Sequence, residues 1–334
     1  MSAGNSRKPR RPESGRNQKS KSETFTKYPK LPSELHEHTL TYLKPVSLFN
    51  YAQCSKKCDA EIQRFNTVAP TTIHMKLAET RSSILVELLY KSNNKWNIVS
   101  KEFGLFEGNC MAEYLKMKLK YVKYTINIIT VRKWFTEVMQ IKQILEANVW
   151  EVTLYESMCD EFIKFSNQNE INCKNLKLNE CNRMERKFSS NFFKSAFARK
   201  LYSVYIEPEC EIDEGWLLNT TATRISLRCA VDFETIRKKF EKMQNGNTQD
   251  GIIIHLPIDD HRLFDFNVLF PQEIPDVQYK DEYYVGRILV KLPYGGKEIQ
   301  MKVITPNDTF WLQQRQNRDR QVIYGRSGPR RLGL

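Results

Sequence analysis

Long apolar runs are missing from this 334-residue sequence. Nowhere do about eighteen hydrophobic residues follow one another, so no membrane-spanning helix is expected. The eight cysteines (54, 58, 110, 159, 173, 181, 210 and 229) include no CxxC pair and no Cys/His group at zinc spacing. That excludes the common zinc modules and makes free thiols the expectation. The N-terminus is polar and basic without an apolar core, so no secretory signal is expected. Together these absences place the chain in the reducing cytosol, the nucleus or both. The sequons Asn219-Thr220-Thr221 and Asn307-Asp308-Thr309 would then never meet the glycosylating machinery. Catalytic signatures are wanting too: there is no phosphate-binding loop, GxSxG elbow, HExxH or kinase set. His36 and His38 stand two apart on an expected helix and so face different ways, whereas a helical metal pair needs a spacing of four. Asp259-Asp260-His261, after an apolar run, reads as loop polarity. Cys54 and Cys58 read as small buried hydrophobes. No catalytic residue, cofactor or metal is expected.

A charge of one sign is also missing where a nucleic-acid surface would need it. The formal net charge is +13, but residues 1–30 carry nine Lys/Arg against Glu13 and Glu23, and residues 315–334 carry six Arg against Asp319. Those ends contribute +7 and +5, which leaves +1 for residues 31–314. A neutral body with basic ends argues against a folded nucleic-acid face, which gathers Lys and Arg on one side of the core. The ends can still contact nucleic acid or anionic surfaces weakly and with strong salt dependence. Arg7-Lys8-Pro9-Arg10-Arg11 has the composition of a nuclear import signal. Residues 1–28 and 315–334 hold too few large apolar side chains to offset the entropy of ordering, and both are expected to be disordered.

What is present begins with three short helical groups in residues 31–65. Leu35, Thr39 and Leu43 recur at spacings of four after Leu31-Pro32, with Leu40 beside them. Pro45 ends that helix and suits the first turn of the next. Leu48, Tyr51, Ala52 and Ser55 then mark one face of a second helix, and Cys58, Ile62 and Phe65 one face of a third. Some thirty-five residues bury too little surface to be stable alone, so these helices need the following domain or a partner.

Leu31-Pro32-x-x-Leu35, Leu40-x-Tyr42-Leu43, Ser47-Leu48, Cys54-Ser55-Lys56 and Ile62 together resemble an F-box. This is the motif by which substrate receptors dock on the Skp-type adaptor of cullin-RING ubiquitin ligases. Where the family often has an acidic residue before the second-helix leucine this chain has Ser47, and where it often has tryptophan, Cys58. The resemblance implies an F-box at residues 29–67, with Leu31, Pro32, Leu35, Leu40, Leu43, Pro45, Leu48 and Ile62 supplying adaptor contacts and helix packing. It further implies a Skp-type adaptor, through it a cullin, and an unidentified protein substrate as partners.

After Thr71 the pattern becomes extended. Residues 72–77, 84–90 and 96–99 read as a small antiparallel sheet, broken by Gly104 and Gly108, and residues 111–123 as a helix before a strand at 124–129. The expected fold class is α+β or α/β, with a small mixed unit at residues 68–130. A strand–helix array follows at 131–314. It opens with an amphipathic helix over 131–147, bearing Trp134, Val138, Ile141 and Leu145. Strands centre on Leu154, Leu178, Ile206, Leu227 and Ile254, at intervals of 24, 28, 21 and 27 residues. Helical or turn segments lie between them at 190–200, 214–218 and 233–244. Intervals of this size resemble leucine-rich repeats, although an asparagine ladder is missing from the sequence; a non-repetitive parallel sheet is the other reading. Residues 284–304 read as a hairpin around Pro293-Tyr294-Gly295-Gly296, closed by Phe310-Trp311-Leu312. The whole order is similar to nematode-type F-box proteins with an F-box-associated domain. It implies a non-catalytic substrate receptor, the array holding the target. The basic tails leave two alternatives, a nucleic-acid- or chromatin-associated protein and an interaction scaffold outside any ligase.

Overall fold

The computed structural model describes residues 32–43, 47–48, 51, 54–64, 71–92, 95–121, 124–246, 251–293 and 295–304. Leu31, Pro45, Ala52, Phe65, Tyr294, the run 310–312 and both basic ends lie outside them. Helices α1 (Ser33–Tyr42) and α2 (Lys56–Arg64) precede a mixed α/β body built on one sheet of 13 strands. The first three strands, β1 (Thr71–Glu79), β2 (Ser83–Ser92) and β3 (Lys95–Gly104), are antiparallel neighbours, and α3 (Gly108–Tyr121) follows. Gly104 closes β3 and Gly108 opens α3, where a Cβ would come within 2.9 Å of the Phe135 ring.

β4 (Tyr124–Val131), β5 (Val149–Leu154), β6 (Asn175–Glu180), β7 (Ser203–Cys210), β8 (Arg224–Cys229) and β9 (Gly251–His255) then lie side by side in chain order, all parallel. β4 is also parallel to β1, so the sheet runs unbroken through residue 130. Crossovers of one hand between strands laid down in one direction return on the same face. Burial agrees. In β5, Trp150, Val152 and Leu154 are buried while Val149, Glu151 and Thr153 are not, and the alternation recurs in β6 through β9. The covered face carries α4 (Thr136–Met139), α5 (Lys142–Leu145), α6 (Glu156–Gln168), α7 (Ala196–Lys200), α8 (Glu214–Asn219) and α9 (Phe233–Gln244), whose inward residues join one core with the strands. Ile236, Phe240 and Met243 of α9, at spacings of four and three, are all buried.

The expected helix over 131–147 is corrected. β4 runs to Val131, and two four-residue helices flank a break at Gln140-Ile141. Tight i to i+3 bonds, Ile141 N–H to Val138 O and Ile144 N–H to Ile141 O, keep Val138, Ile141 and Ile144 inward, so the three-to-four spacing survives without a continuous helix. Residues 190–200 divide likewise into a 3₁₀ turn (Ser190–Phe192) and α7, whose first turn is capped by Ser195 Oγ accepting from Ala198 N–H at 2.9 Å. The C-terminal hairpin is corrected to a meander. After α10 (Phe266–Leu269) come β10 (Val277–Tyr279), β11 (Glu282–Val285), β12 (Ile288–Lys291) and β13 (Glu298–Val303), and β13 returns antiparallel to β9. Gly286, at φ +55°, lets the chain reverse in the two residues between Val285 and Ile288, where a single strand is expected.

A backbone ladder ties the parallel strands at their starts. Asn148 O accepts from Lys174 and Asn175 N–H, Lys174 O from Tyr202 and Ser203, Tyr202 O from Thr223 and Arg224, and Thr223 O from Gly251. One-sided burial yields a measurable contrast. Trp150→Ala, which empties a fully buried site and frees the Ile144 carbonyl that the indole N–H reaches at 3.1 Å, should cost about 3–5 kcal/mol in urea unfolding. Tyr205→Ala, on the other face of the same sheet, should cost no more than about 1 kcal/mol.

Candidate protein-docking surface

The N-terminal helices hold together through a core of their own. Leu40 of α1, Leu48 of the middle helical segment and Ile62 of α2 are buried on one another, with Leu43 and Tyr51 half-buried beside them, in a cluster separate from the main core. A polar tie reinforces it. Glu61 of α2 accepts from the Tyr51 hydroxyl at 2.5 Å and lies 3.6 Å from Nδ1 of buried His36 on α1, so one carboxylate joins all three helical segments. Residues 47, 48, 51 and 54 are helical. Pro32 begins α1, its carbonyl accepting from Leu35 and His36 N–H.

This geometry sorts the candidate contact residues. Leu40, Leu48 and Ile62 are packing residues, and Leu43 supports them. Pro32 is exposed, Leu35 is 49% exposed and Tyr42 is 75% exposed. Leu31 and Pro45 lie outside the described residues. The expected inward face Leu35-Thr39-Leu43 is corrected to His36-Leu40-Leu43. Thr39 is exposed and its hydroxyl donates to Leu35 O at 2.7 Å. Leu35, His38 and Tyr42, at spacings of three and four, share the outward face, where the His38 and Tyr42 rings meet edge to face at 4.9 Å. Ser55 does not belong to the middle helix; its hydroxyl caps α2 by accepting from Cys58 N–H at 3.1 Å. The expected burial of Cys54 and Cys58 is corrected too, since Cys54 is exposed and Cys58 half-exposed.

The uncovered face of the sheet is the second candidate. Its charges are arranged in cross-strand pairs, Lys76 with Glu87 at 2.9 Å and Lys177 with Glu151 at 2.7 Å, and the His255 ring meets Glu298 at 2.9 Å. Hydrogen bonding to Lys177 holds the Glu151 carboxyl below its ordinary range, and Glu151 in turn raises Lys177. Lys177 also lies 5.9 Å over the Tyr205 ring. A face whose cations are matched locally projects little net field and suits a polar peptide surface better than a polyanion.

At the far end of the strands, Asp259-Asp260-His261 occupies the loop after β9. Arg262 forks onto Asp260 with Nη2 2.7 Å from Oδ2, and reaches Val231 O with Nη1 at 3.2 Å. Lys297 Nζ donates to the Asp260 and Arg262 carbonyls. The Asp260 carboxylate is thereby committed to fastening its own loop, while Asp259 points outward, 3.8 Å from Arg183. Beside it a cavity of about 530 Å³ is bounded by Phe266 stacked on Tyr283 at 4.3 Å, with Asp265, Lys280 and Asp281 at its rim. Among the described residues no group of His, Cys, Asp or Glu is placed to hold a metal, and no helix is long and apolar enough to cross a membrane. No known family model matches the chain, and no curated protein or solved structure matches it.

The Arg262 side chain lowers the Asp260 pKa to about 2. A carboxylate with a depressed folded-state pKa stabilises the fold at pH values above the unfolded value and loses that contribution as pH falls through 4 toward 2. Asp260→Asn should therefore cost up to about 2 kcal/mol at neutral pH, and the gap from wild type in urea unfolding should shrink toward pH 3.

Proposed function

We propose that the chain is a non-catalytic substrate receptor of a Skp–cullin–F-box ubiquitin ligase. Its N-terminal helices form the F-box, and its α/β body, read as a leucine-rich-repeat-like F-box-associated domain, holds the target. The carrying observation is the small separate cluster of Leu40, Leu48 and Ile62, which leaves Leu35 and Tyr42 outward on α1. So small a core contributes little stability, and an apolar partner surface over Leu35 and Tyr42 would supply the missing burial. The parallel strands in chain order, their repeating backbone ladder and their one open face support the repeat-like reading. Such a receptor acts by raising the effective concentration of a target near the ubiquitin-loaded enzyme, which requires surfaces and no reacting groups.

Leu35→Asp separates docking from folding, because Leu35 lies outside the cluster. The variant should keep the wild-type unfolding transition to within about 0.5 kcal/mol and retain a Skp-type adaptor at least about tenfold less well in co-purification. Leu40→Asp should lose both. Equal adaptor recovery by wild type and Leu35→Asp overturns the reading. A cullin in the same complex distinguishes a ligase subunit from a scaffold that only shares the helices.

A further inference from the structure

β3 is the last strand of the sheet order, and its outer side has no strand partner among the described residues. Edge strands are commonly shortened, bulged or broken by proline, which keeps them from templating another chain. β3 has none of these protections, although Lys95 and Lys101 are charges of the kind that also guard edges. It is ten residues long, contains no proline and pairs with β2 in unbroken register from Lys95 to Gly104.

The bonds at Gly104 fix which residues face out. Its N–H donates to Glu107 Oε2 at 2.7 Å and its carbonyl accepts from Glu107 N–H at 3.1 Å, both directed away from β2. Backbone groups of an antiparallel strand alternate between its two neighbours. Trp96, Ile98, Ser100 and Glu102 therefore present their N–H and carbonyl groups to the outer edge. The same four residues place their side chains on the uncovered face of the sheet, where Trp96 and Ile98 are 56% and 57% exposed. By strand register Ile98 continues into a row of Leu89, His74, Ile128 and Val149 across that face. Trp96 packs on His74 with ring centres 5.2 Å apart.

Charge around the edge leans positive, with Glu102 and Glu107 as its acids. Lys91, Lys95 and Lys101 are exposed and have no carboxylate partner among the described residues, while Glu102 is the one acid of the strand. Lys101 lies 4.7 Å over the Tyr114 ring, which Lys118 approaches at 5.6 Å. Burial and then Lys101 lower the Lys118 pKa to about 8.

We propose that the outer edge of β3 is a strand-addition site for an extended acidic segment of a partner protein, whose alternate apolar side chains rest against Trp96 and Ile98. Main-chain bonds to the outward groups at 96, 98, 100 and 102 would give affinity. The lysines would select acidic over basic sequences. The proposal does not depend on the ligase reading.

The test uses the full chain and a fluorescent decapeptide alternating valine and glutamate. Its controls are the same peptide with lysine for glutamate and a version N-methylated at alternate amides. The acidic peptide should bind at least about tenfold more tightly than either control by anisotropy, with affinity falling as salt rises. Ser100→Pro removes one outward N–H that the β2 ladder does not use, a change edge strands tolerate. It should weaken binding about tenfold while leaving the unfolding midpoint in place. If Ser100→Pro fails to fold, Ile98→Lys supplies the same comparison through the side-chain row. Equal binding by wild type and the folded variant, or preference for the lysine peptide, overturns the proposal. So does a dimer of the free chain that Ser100→Pro dissolves, because the occupant is then a second copy.

Discussion

Leu40, Leu48 and Ile62 touch across three helical segments and hold them with very little buried surface, helped by one carboxylate, Glu61, that reaches both Tyr51 and His36. A buried aliphatic side chain contributes about 1.5–3 kcal/mol, and ordering the backbone costs about 1–2 kcal/mol per residue. Three such side chains cannot offset the ordering of some thirty residues. The unit must draw on something else, either α3, against which α2 lies, or a surface laid over Leu35 and Tyr42.

The body behind it is under no such pressure. Trp150, Phe162, Phe192 and Phe197 anchor a continuous core between the helices and the covered face of the sheet. The other face carries charged residues that match one another across neighbouring strands and, toward β3, the row of Ile98, Leu89, Ile128 and Val149. Lys177 with Glu151 shows the consequence: a rigid, locally neutral surface on which individual side chains, not a broad field, discriminate among partners. Where the matching stops, around Lys95 and Lys101 at the end of the sheet, the surface acquires both a charge preference and unpaired backbone.

Much of this was legible in the residues. Short apolar runs locate β5 through β9, and 233–244, where α9 lies, reads as helical or turn, because such signals are local. The inward face of α1 was not, since leucines at 35, 40 and 43 with Tyr42 spread apolar character around most of the helix. The choice depends on Glu61, a residue far along the chain that draws His36 inward. Residues 131–147 kept helical spacing while folding as two short turns, a difference that lies in backbone angles at Ile141 and not in side-chain order. Helix α6 is not among the expected segments, although Phe162, Ile163 and Phe165 lie on its inward side. The link between successive parallel strands lies mostly outside side-chain patterns: Asn148 and Asn175 add amide contacts at 3.4 Å to Asn127 Oδ1 and Asn148 O, but Asn148, Lys174, Tyr202 and Thr223 take part chiefly through their carbonyl oxygens, which any residue supplies.

Hydrogen exchange on the intact chain bears most directly on the central claim that the N-terminal helices are a marginal unit completed by a partner. Amides of residues 33–64 should exchange far faster than those of β5 through β9 in the free protein, and a saturating Skp-type adaptor should slow them by at least about tenfold while leaving the strands unchanged. Helices already as protected as the strands, with no further slowing when adaptor is added, would contradict it.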